Sequence, residues 1–245
     1  MIANAKVVRL GILGQTKSLL RSTFPRSAAA YGKVKDSYRD IFVRGRNAEV
    51  IFSEIYERNL WGDTESASGR GSTLRRTTVI RSGLGTLLSD VGAKSLLDAP
   101  CGDFNWMRYT ELGPVTYIGA DVVPSLIARN EQRYGREGRN FVILDITKGA
   151  IPKVSVILCR DCFIHLSFRD VRSAVANFKR SNSEYLFATT HTGIREHRDI
   201  ATGQGRPVNL QLPPFNFPEP MRLVVEDPEL GKCLGVWRLQ QLRIQ

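Results

Sequence analysis

The chain of 245 residues has little cysteine, little histidine and no long hydrophobic run. Its four cysteines are too few and too irregularly spaced for a disulfide scaffold, which favours a reducing, cytoplasmic setting. No stretch approaches the roughly 18 consecutive apolar residues that a membrane-spanning helix needs. Hydrophobic residues make up 42% of the chain and charged residues 24%, which predicts one globular domain with an additional segment.

Acidic residues are scarce at the start of the chain. Residues 1–48 hold ten Lys or Arg but only two acids, Asp36 and Asp40, so they carry +8 of the formal net charge of +11. Because the rest of the chain is nearly neutral, the composition argues against nucleic acid as the partner of the whole domain. We predict a basic arm over residues 1–33. Its composition fits a solvated tail, a segment that contacts an anionic membrane surface or a partner, or an organelle transit peptide.

Residues 34–92 are predicted to form a helical cap, because two helical patterns flank a polar stretch that contains glycine. From residue 93 onward, short apolar runs alternate with helical patterns, which predicts a doubly wound, mostly parallel, seven-stranded α/β sheet of the Rossmann-like type. Ser167 is expected to cap the helix that follows it. A proline-rich excursion, residues 192–221, interrupts the alternation before the last two strands. The predicted strands are 94–99, 115–122, 140–146, 154–160, 185–190, 221–226 and 232–242.

Carboxylates stand where three successive predicted strands end, at Asp98, Asp121 and Asp145. In an open parallel sheet, ligands bind at the carboxyl ends of the strands. Asp121 is placed to accept hydrogen bonds from a ribose diol, and Asp145 from an adenine amino group, with Ile146 packing on the ring. Gly102 lets the backbone approach a ligand closely. Together these residues predict a nucleoside-binding slot, with helix capping as the alternative role for each carboxylate.

The same segments resemble class I S-adenosylmethionine-dependent methyltransferases over about residues 94–191. The matching motifs are LDAPCGDF (97–104), IGAD (118–121), LDI (144–146) and ILCRDCFIHL (157–166). The chain is also similar to a bacterial subgroup with Trp-Gly before the domain and an Asp-Ala-Pro-Cys-Gly-Asp turn. It departs from the family at Pro100 and Phe104, which stand where glycines are common.

This resemblance implies S-adenosylmethionine as the cofactor and a role for each matching residue. Asp98, Ala99 and Gly102 would line the methionine end of the cofactor, Asp121 the ribose, Asp145 and Ile146 the adenine, and the Cys159 backbone the amino group, with Trp61 and Gly62 closing over it. No metal is expected, because the Cys159-x-x-Cys162 pair has no second pair at zinc spacing.

Transfer to an oxygen acceptor requires a base, and histidine is the usual one near neutral pH. His165 follows the fourth strand and is our candidate, with a purely structural histidine as the alternative. Asp161 is a second candidate, either as the base or as a holder of substrate hydroxyls, and His191 or His197 could reach the same pocket. We therefore predict O-methylation of a small molecule or a saccharide hydroxyl. The alternatives are an RNA or protein methyltransferase that uses the basic arm, and a degenerate cofactor-binding module.

Overall fold

The computed structural model of the chain describes residues 45–243. The predicted basic arm, residues 1–33, and the first part of the predicted cap, residues 34–44, lie outside the described residues. Within the described range, no helix is long and apolar enough to cross a membrane.

Four α-helices and seven strands make up the regular structure of the described residues. The helices are α1 (Ala48–Glu57), α2 (Thr78–Asp90), α3 (Pro124–Tyr134) and α4 (Phe168–Arg180). The strands are β1 (Ser95–Asp98), β2 (Thr116–Asp121), β3 (Arg139–Ile143), β4 (Val156–Cys159), β5 (Tyr185–His191), β6 (Arg222–Asp227) and β7 (Lys232–Arg238).

All seven strands form one sheet in the order β3-β2-β1-β4-β5-β7-β6. The first five strands are parallel, and β7 is antiparallel to both β5 and β6. The predicted mostly parallel, seven-stranded α/β sheet is therefore confirmed. The third strand is shorter than predicted and ends at Ile143, because the chain turns at Asp145, whose carbonyl oxygen accepts bonds from the Lys148 and Gly149 N–H groups.

Local signals in the sequence account for the helix starts. The Ser167 hydroxyl accepts a hydrogen bond of 3.1 Å from the Asp170 N–H, which confirms the predicted cap of α4. Helix α3 begins at Pro124, whose missing N–H costs nothing in the first turn. Asn47 caps α1 by accepting from the Val50 N–H at 2.9 Å.

Two apolar layers cover the two faces of the sheet. On one face, α2 and α3 pack against the strands; α2 contributes Ile80, Leu84 and Leu88, all fully buried. These residues recur every four positions, so they form one stripe on the helix. Helix α2, which lies within the predicted cap (34–92), packs this stripe against the sheet.

The proline-rich excursion helps to cover the other face, together with α4. Residues 192–221 contain no helix or strand, yet Val208, Leu210, Phe215 and Phe217 are buried in the core cluster that α4 also joins. The excursion therefore covers this face with irregular chain in place of a helix.

Candidate functional site

A pocket of about 440 Å3 lies at the carboxyl edge of the parallel strands. Residues at the ends of β1, β2, β4 and β5 form its base, as expected for an open α/β sheet. It is covered by α1 and by the loop between α1 and α2, residues 58–77, which we call the covering loop. Eight of the residues predicted for the site line this pocket: Trp61, Asp98, Gly102, Asp121, Asp145, Ile146, Asp161 and His165. Gly62, which was predicted to close over the cofactor with Trp61, is not part of the lining.

Ala99 and Cys159, also predicted for the site, are fully buried and do not line the pocket. The Ala99 N–H donates to the Leu158 carbonyl oxygen at 2.9 Å, so this backbone continues the ladder between β1 and β4. Next to Cys159, the pocket wall is formed by Arg160 and Cys162.

Asp121 is a buried carboxylate with a fixed orientation. Its Oδ2 accepts from the Gly102 N–H at 3.2 Å, and its Oδ1 accepts from the Val123 N–H at 3.1 Å. Burial raises the pKa of Asp121 to about 6, although these backbone bonds act to lower it. A carboxylate offers about four lone-pair positions, so Asp121 retains capacity for two ligand hydroxyls. Asp121 does not take the helix-capping role left open by the sequence, because α3 has Val123 at its N-cap and no side-chain cap bond. Asp121 instead holds the backbone between β2 and α3 and lines the pocket.

Asp98 ends β1 and is 2% exposed. The Tyr117 hydroxyl donates to its Oδ2 at 2.7 Å. Burial raises the pKa of Asp98 to about 7, against the opposing effects of the Tyr117 bond and the Arg160 charge. A cationic ligand at this end of the pocket would stabilise the ionised carboxylate.

The Asp145 carboxylate interacts mainly with residues of its own turn, Thr147 and Lys148. Its Oδ1 accepts from the Thr147 N–H at 2.9 Å and from the Thr147 hydroxyl at 2.6 Å, and its Oδ2 lies 3.2 Å from the Lys148 ammonium. Burial acts to raise the pKa of Asp145, but these partners outweigh it and lower the pKa. Leu144 and Ile146 flank Asp145 and line the pocket, which gives a flat ring an apolar surface.

The turn after β1 adopts conformations that glycine normally supplies. Gly102 has a φ of +54° and Phe104 a φ of +58°. A Cβ on Gly102 would collide with the Ser68 hydroxyl. Phe104 is held by ring packing on Tyr117 and Phe141, with centroid distances of 5.4 and 5.1 Å. Although Phe104 stands where the family often has glycine, its backbone keeps the left-handed conformation that glycine favours.

Asp103 anchors the covering loop to this turn. Its carboxylate accepts from the Ser66 hydroxyl at 2.9 Å, the Ala67 N–H at 2.8 Å and the Ser68 hydroxyl at 3.2 Å. The Asp103 N–H in return donates to the Ser68 hydroxyl oxygen at 2.8 Å. These bonds hold the covering loop directly above the base of the pocket.

Trp61 connects the covering loop to the segment after β4 by packing against His165. Its ring lies 5.1 Å from the His165 ring at an interplanar angle of 32°, and 6.4 Å from Phe52. Its buried Nε1–H has no hydrogen-bond partner among residues 45–243. Trp61 therefore covers His165 and brings an indole donor to the pocket wall.

His165 ends the 3-10 turn Phe163–His165 after β4. Its Nδ1 lies 2.8 Å from the Gln204 carbonyl oxygen. A carbonyl oxygen only accepts, so Nδ1 carries the proton and Nε2 is the basic nitrogen of the neutral ring.

The excursion holds this turn from outside. The Arg206 N–H donates to the Ile164 carbonyl oxygen at 2.9 Å, and its guanidinium Nη1 donates to the Phe163 carbonyl oxygen at 3.1 Å. The Gly203 N–H donates to the His165 carbonyl oxygen at 2.8 Å. The irregular chain between β5 and β6 therefore fixes the position of His165.

His191 and His197 occupy different places. His191 lines the pocket, and its N–H donates to the Val208 carbonyl oxygen at 2.8 Å; burial lowers its pKa. His197 is outside the pocket lining, with its ring 5.2 Å from Phe168 and 5.6 Å from Phe215. The expectation that His197 could reach the pocket is wrong, because its ring packs in this aromatic cluster.

Four charged side chains meet beside His165, and we call them the charged quartet: Arg160, Asp161, Glu226 and Lys232. Asp161 Oδ2 lies 2.6 Å from the Lys232 ammonium and 3.1 Å from the Arg160 guanidinium. Arg160 also pairs with Glu226 at 2.6 Å. Burial acts to raise the pKa of Asp161, but Arg160 and Lys232 outweigh it and lower the pKa to about 2. Asp161 is therefore a permanently ionised acceptor and a poor base near neutral pH, unlike one of its two predicted roles.

Sequence reasoning missed Glu226 and Lys232, which belong to the last two strands. The signals that indicated the site were carboxylates and histidines near the ends of parallel strands, and the last two strands pair with their neighbours in antiparallel fashion. Because β7 is antiparallel to β5, its first residue, Lys232, pairs in register with His191 at the carboxyl edge. Strand β6 is antiparallel to β7, so its end, with Glu226, returns to the same edge. A search of the start of the last predicted strand would have found Lys232.

Comparison with known proteins gives a likeness of structure alone. No family model matches the chain, and neither does any curated protein. The solved structure of human N-acetylserotonin methyltransferase in complex with S-adenosylmethionine matches with a TM-score of 0.57 and 11% identity, over 89% of this chain and 68% of that one. The N-methyltransferase NodS from Bradyrhizobium japonicum WM9, in complex with S-adenosylhomocysteine, matches with a TM-score of 0.46 and 17% identity, over 56% of this chain and 74% of that one. The second score carries no weight, but the first establishes that this chain has the fold of an S-adenosylmethionine-binding methyltransferase.

Proposed function

We propose that this protein is an S-adenosylmethionine-dependent methyltransferase that methylates a hydroxyl group of a small molecule or a saccharide. The observation that carries the proposal is the orientation of the Asp121 carboxylate. Its carboxylate is fixed by two backbone N–H groups, faces the pocket and keeps acceptor positions for a ribose diol.

The rest of the pocket supports the same cofactor. Asp98 offers a buried carboxylate for an ammonium group, and Leu144 and Ile146 offer apolar surface for adenine. When bound, S-adenosylmethionine supplies an activated methyl group on a positively charged sulfur. The raised pKa of Asp98 fits this ligand, because a nearby positive charge would offset the cost of a buried carboxylate.

In this proposal, His165 removes the proton of the acceptor hydroxyl. The Gln204 carbonyl holds the ring with its proton on Nδ1, so Nε2 is the basic atom. The negative charge of Asp161 interacts with His165 and stabilises the imidazolium that forms. Trp61 packs over the His165 ring and limits the access of water from that side. Holding the methyl donor and the acceptor hydroxyl about 3 Å apart supplies much of the remaining rate acceleration.

A general base beside the pocket favours an oxygen acceptor. The alternative of an RNA or protein acceptor held by residues 1–33 predicts binding that weakens steeply with salt, because phosphate contacts release counterions. A degenerate cofactor-binding module predicts cofactor affinity without turnover.

The test is a calorimetric titration of S-adenosylhomocysteine into the full chain, followed by a screen of hydroxylated acceptors with S-adenosylmethionine. We expect micromolar binding and methyl transfer to at least one hydroxylated acceptor. No binding of S-adenosylhomocysteine by the wild-type protein would overturn the proposal.

A further inference from the structure

The charged quartet presents three of its members, Arg160, Asp161 and Lys232, to the pocket on the side of His165. Arg160 has few donors left for a ligand. Its Nε and Nη2 donate to Glu226 Oε2 at 2.9 and 2.6 Å, and its Nη1 donates to the Gly71 carbonyl oxygen at 3.1 Å. With a side chain only 3% exposed, Arg160 joins the covering loop to the sheet.

Lys232 and Asp161 are the accessible pair of the quartet, with side chains 12% and 18% exposed. The Lys232 ammonium has three N–H donors, and Asp161 takes one of them at 2.6 Å. The other carboxylate of the quartet, Glu226, lies 3.8 Å from the ammonium, beyond hydrogen-bonding distance. Asp161 Oδ1 receives only a long bond of 3.3 Å from the Thr189 hydroxyl. The pair therefore offers a donor and an acceptor side by side.

The covering loop is shaped to this pair. A Cβ on Gly71 would lie 2.8 Å from Asp161 Oδ2, closer than a side-chain carbon can approach an oxygen. A larger residue at this position would force the Asp161 carboxylate, which Lys232 and Arg160 hold, to move. The pair is therefore a built part of the pocket wall.

The charges of the quartet select against an ionic ligand. Two cations and two carboxylates give a formal sum of zero. Because Asp161 Oδ2 lies 2.6 Å from the Lys232 ammonium, an anionic ligand group that reaches Lys232 also comes close to Asp161, and a cationic group that reaches Asp161 also comes close to Lys232. A neutral diol suffers neither penalty, because one hydroxyl donates to Asp161 while its neighbour accepts from Lys232. Trp61 and Trp106 also line the pocket, so a sugar ring would meet aromatic side chains beside this pair.

We propose that Lys232 and Asp161 form a subsite for two neighbouring hydroxyls of an uncharged saccharide acceptor, and that Lys232 is the residue that determines this specificity. This inference rests on the proposed function and names the acceptor class of the same site.

The experiment is ligand-observed NMR on the full chain saturated with S-adenosylhomocysteine. The probes are the methyl glycosides of glucose, galactose, mannose and rhamnose, mixed with the matching uronic acids and amino sugars. We expect the neutral glycosides to bind and the charged analogues to bind more weakly. In Lys232→Met, glycoside affinity should fall about tenfold to a hundredfold, as for loss of a hydrogen bond to a charged group. Lys232→Arg should retain part of it.

The matched control is Lys153→Met, which removes an exposed lysine outside the pocket and should leave glycoside binding unchanged. Binding of S-adenosylhomocysteine to Lys232→Met should also persist, which shows that this variant folds. Preference for uronic acids or amino sugars, equal glycoside binding by Lys232→Met, or no glycoside binding by the wild type would overturn the inference. Failure of the wild type to bind S-adenosylhomocysteine would instead overturn the proposed function.

Discussion

Asp98 and Asp161 are both aspartates at the carboxyl edge of the sheet, but their surroundings shift their pKa values in opposite directions. Asp98 ends β1 and Asp161 comes shortly after β4, and these two parallel strands are neighbours in the sheet. Burial raises the pKa of Asp98 to about 7. In Asp161, burial is outweighed by Arg160 and Lys232, and the pKa falls to about 2.

The comparison separates two halves of the pocket. On the side of β1 and β2, Asp98 and Asp121 form no ion pair within residues 45–243, and burial raises the pKa of both. A positive charge on a ligand would stabilise their ionised forms. On the side of β4 and β7, the negative charge of Asp161 is balanced by its ion pairs with Arg160 and Lys232. A positively charged cofactor suits the first half, and an uncharged acceptor suits the second. The difference therefore predicts which half takes which ligand.

The largest effect is expected from His165 on the second half. His165→Gln removes the proposed base, so turnover with the preferred hydroxylated acceptor should fall by about 10²–10⁴-fold. Affinity for S-adenosylhomocysteine should not change, because His165 acts on the acceptor. Parallel rate and calorimetric measurements test this, with His197→Gln, outside the pocket lining, as the control. Equal losses in both variants would remove His165 from the mechanism.

The next effect belongs to the first half. Asp121→Ala deletes the carboxylate proposed for the ribose, and should weaken S-adenosylhomocysteine binding by about 1.5–3 kcal/mol. Asp90→Ala, an exposed carboxylate at the end of α2, should bind like the wild type in the same titration. An unchanged affinity of Asp121→Ala would place the nucleoside elsewhere.

Stability should respond in opposite directions to neutralisation of the two carboxylates. The folded pKa of Asp98 is raised above 3.8, so its contribution to stability is complete below that pH and is lost as pH rises through about 7. Asp98→Asn should therefore stabilise the protein at about pH 8. The folded pKa of Asp161 is lowered from 3.8, so its contribution is present above that pH and is lost as pH falls through about 2.

Asp161→Asn should therefore destabilise the protein at the same pH, and we expect changes of about 2 kcal/mol in the two opposite directions. Urea unfolding of both variants measures this difference. Changes of the same sign would mean that the two halves do not differ as their charges indicate.

The smallest effect is a pH dependence of cofactor binding. If ionised Asp98 holds the cofactor ammonium, S-adenosylhomocysteine affinity should rise about tenfold between about pH 6 and pH 8 as Asp98 loses its proton. Asp98→Asn should bind more weakly and show no such rise. Calorimetry at three pH values tests this, and a rise that persists in Asp98→Asn would assign it to another group.

Much of the first half of the pocket, on the side of β1 and β2, could be predicted from local sequence. Buried strands read as apolar runs, and the carboxylates follow them at Asp98 and Asp121 because the carboxyl ends of parallel strands meet at one edge. Motif position alone indicated Ala99 and Cys159, but both are fully buried and lie outside the pocket lining. The place of His197 could not be predicted, because the excursion has no periodic pattern from which its path follows.

The sequence by itself determined the alternation of strands and helices, the cap of α4 at Ser167 and the row of acids at the strand ends, because these depend on residues close together in the chain. Only the tertiary structure decided the charges of the other half. The Asp161–Lys232 pair joins residues 71 positions apart, and it exists because β7 reverses direction beside β5. The pKa of a carboxylate depends on the charges and the water around it, and those are fixed only when distant segments pack together.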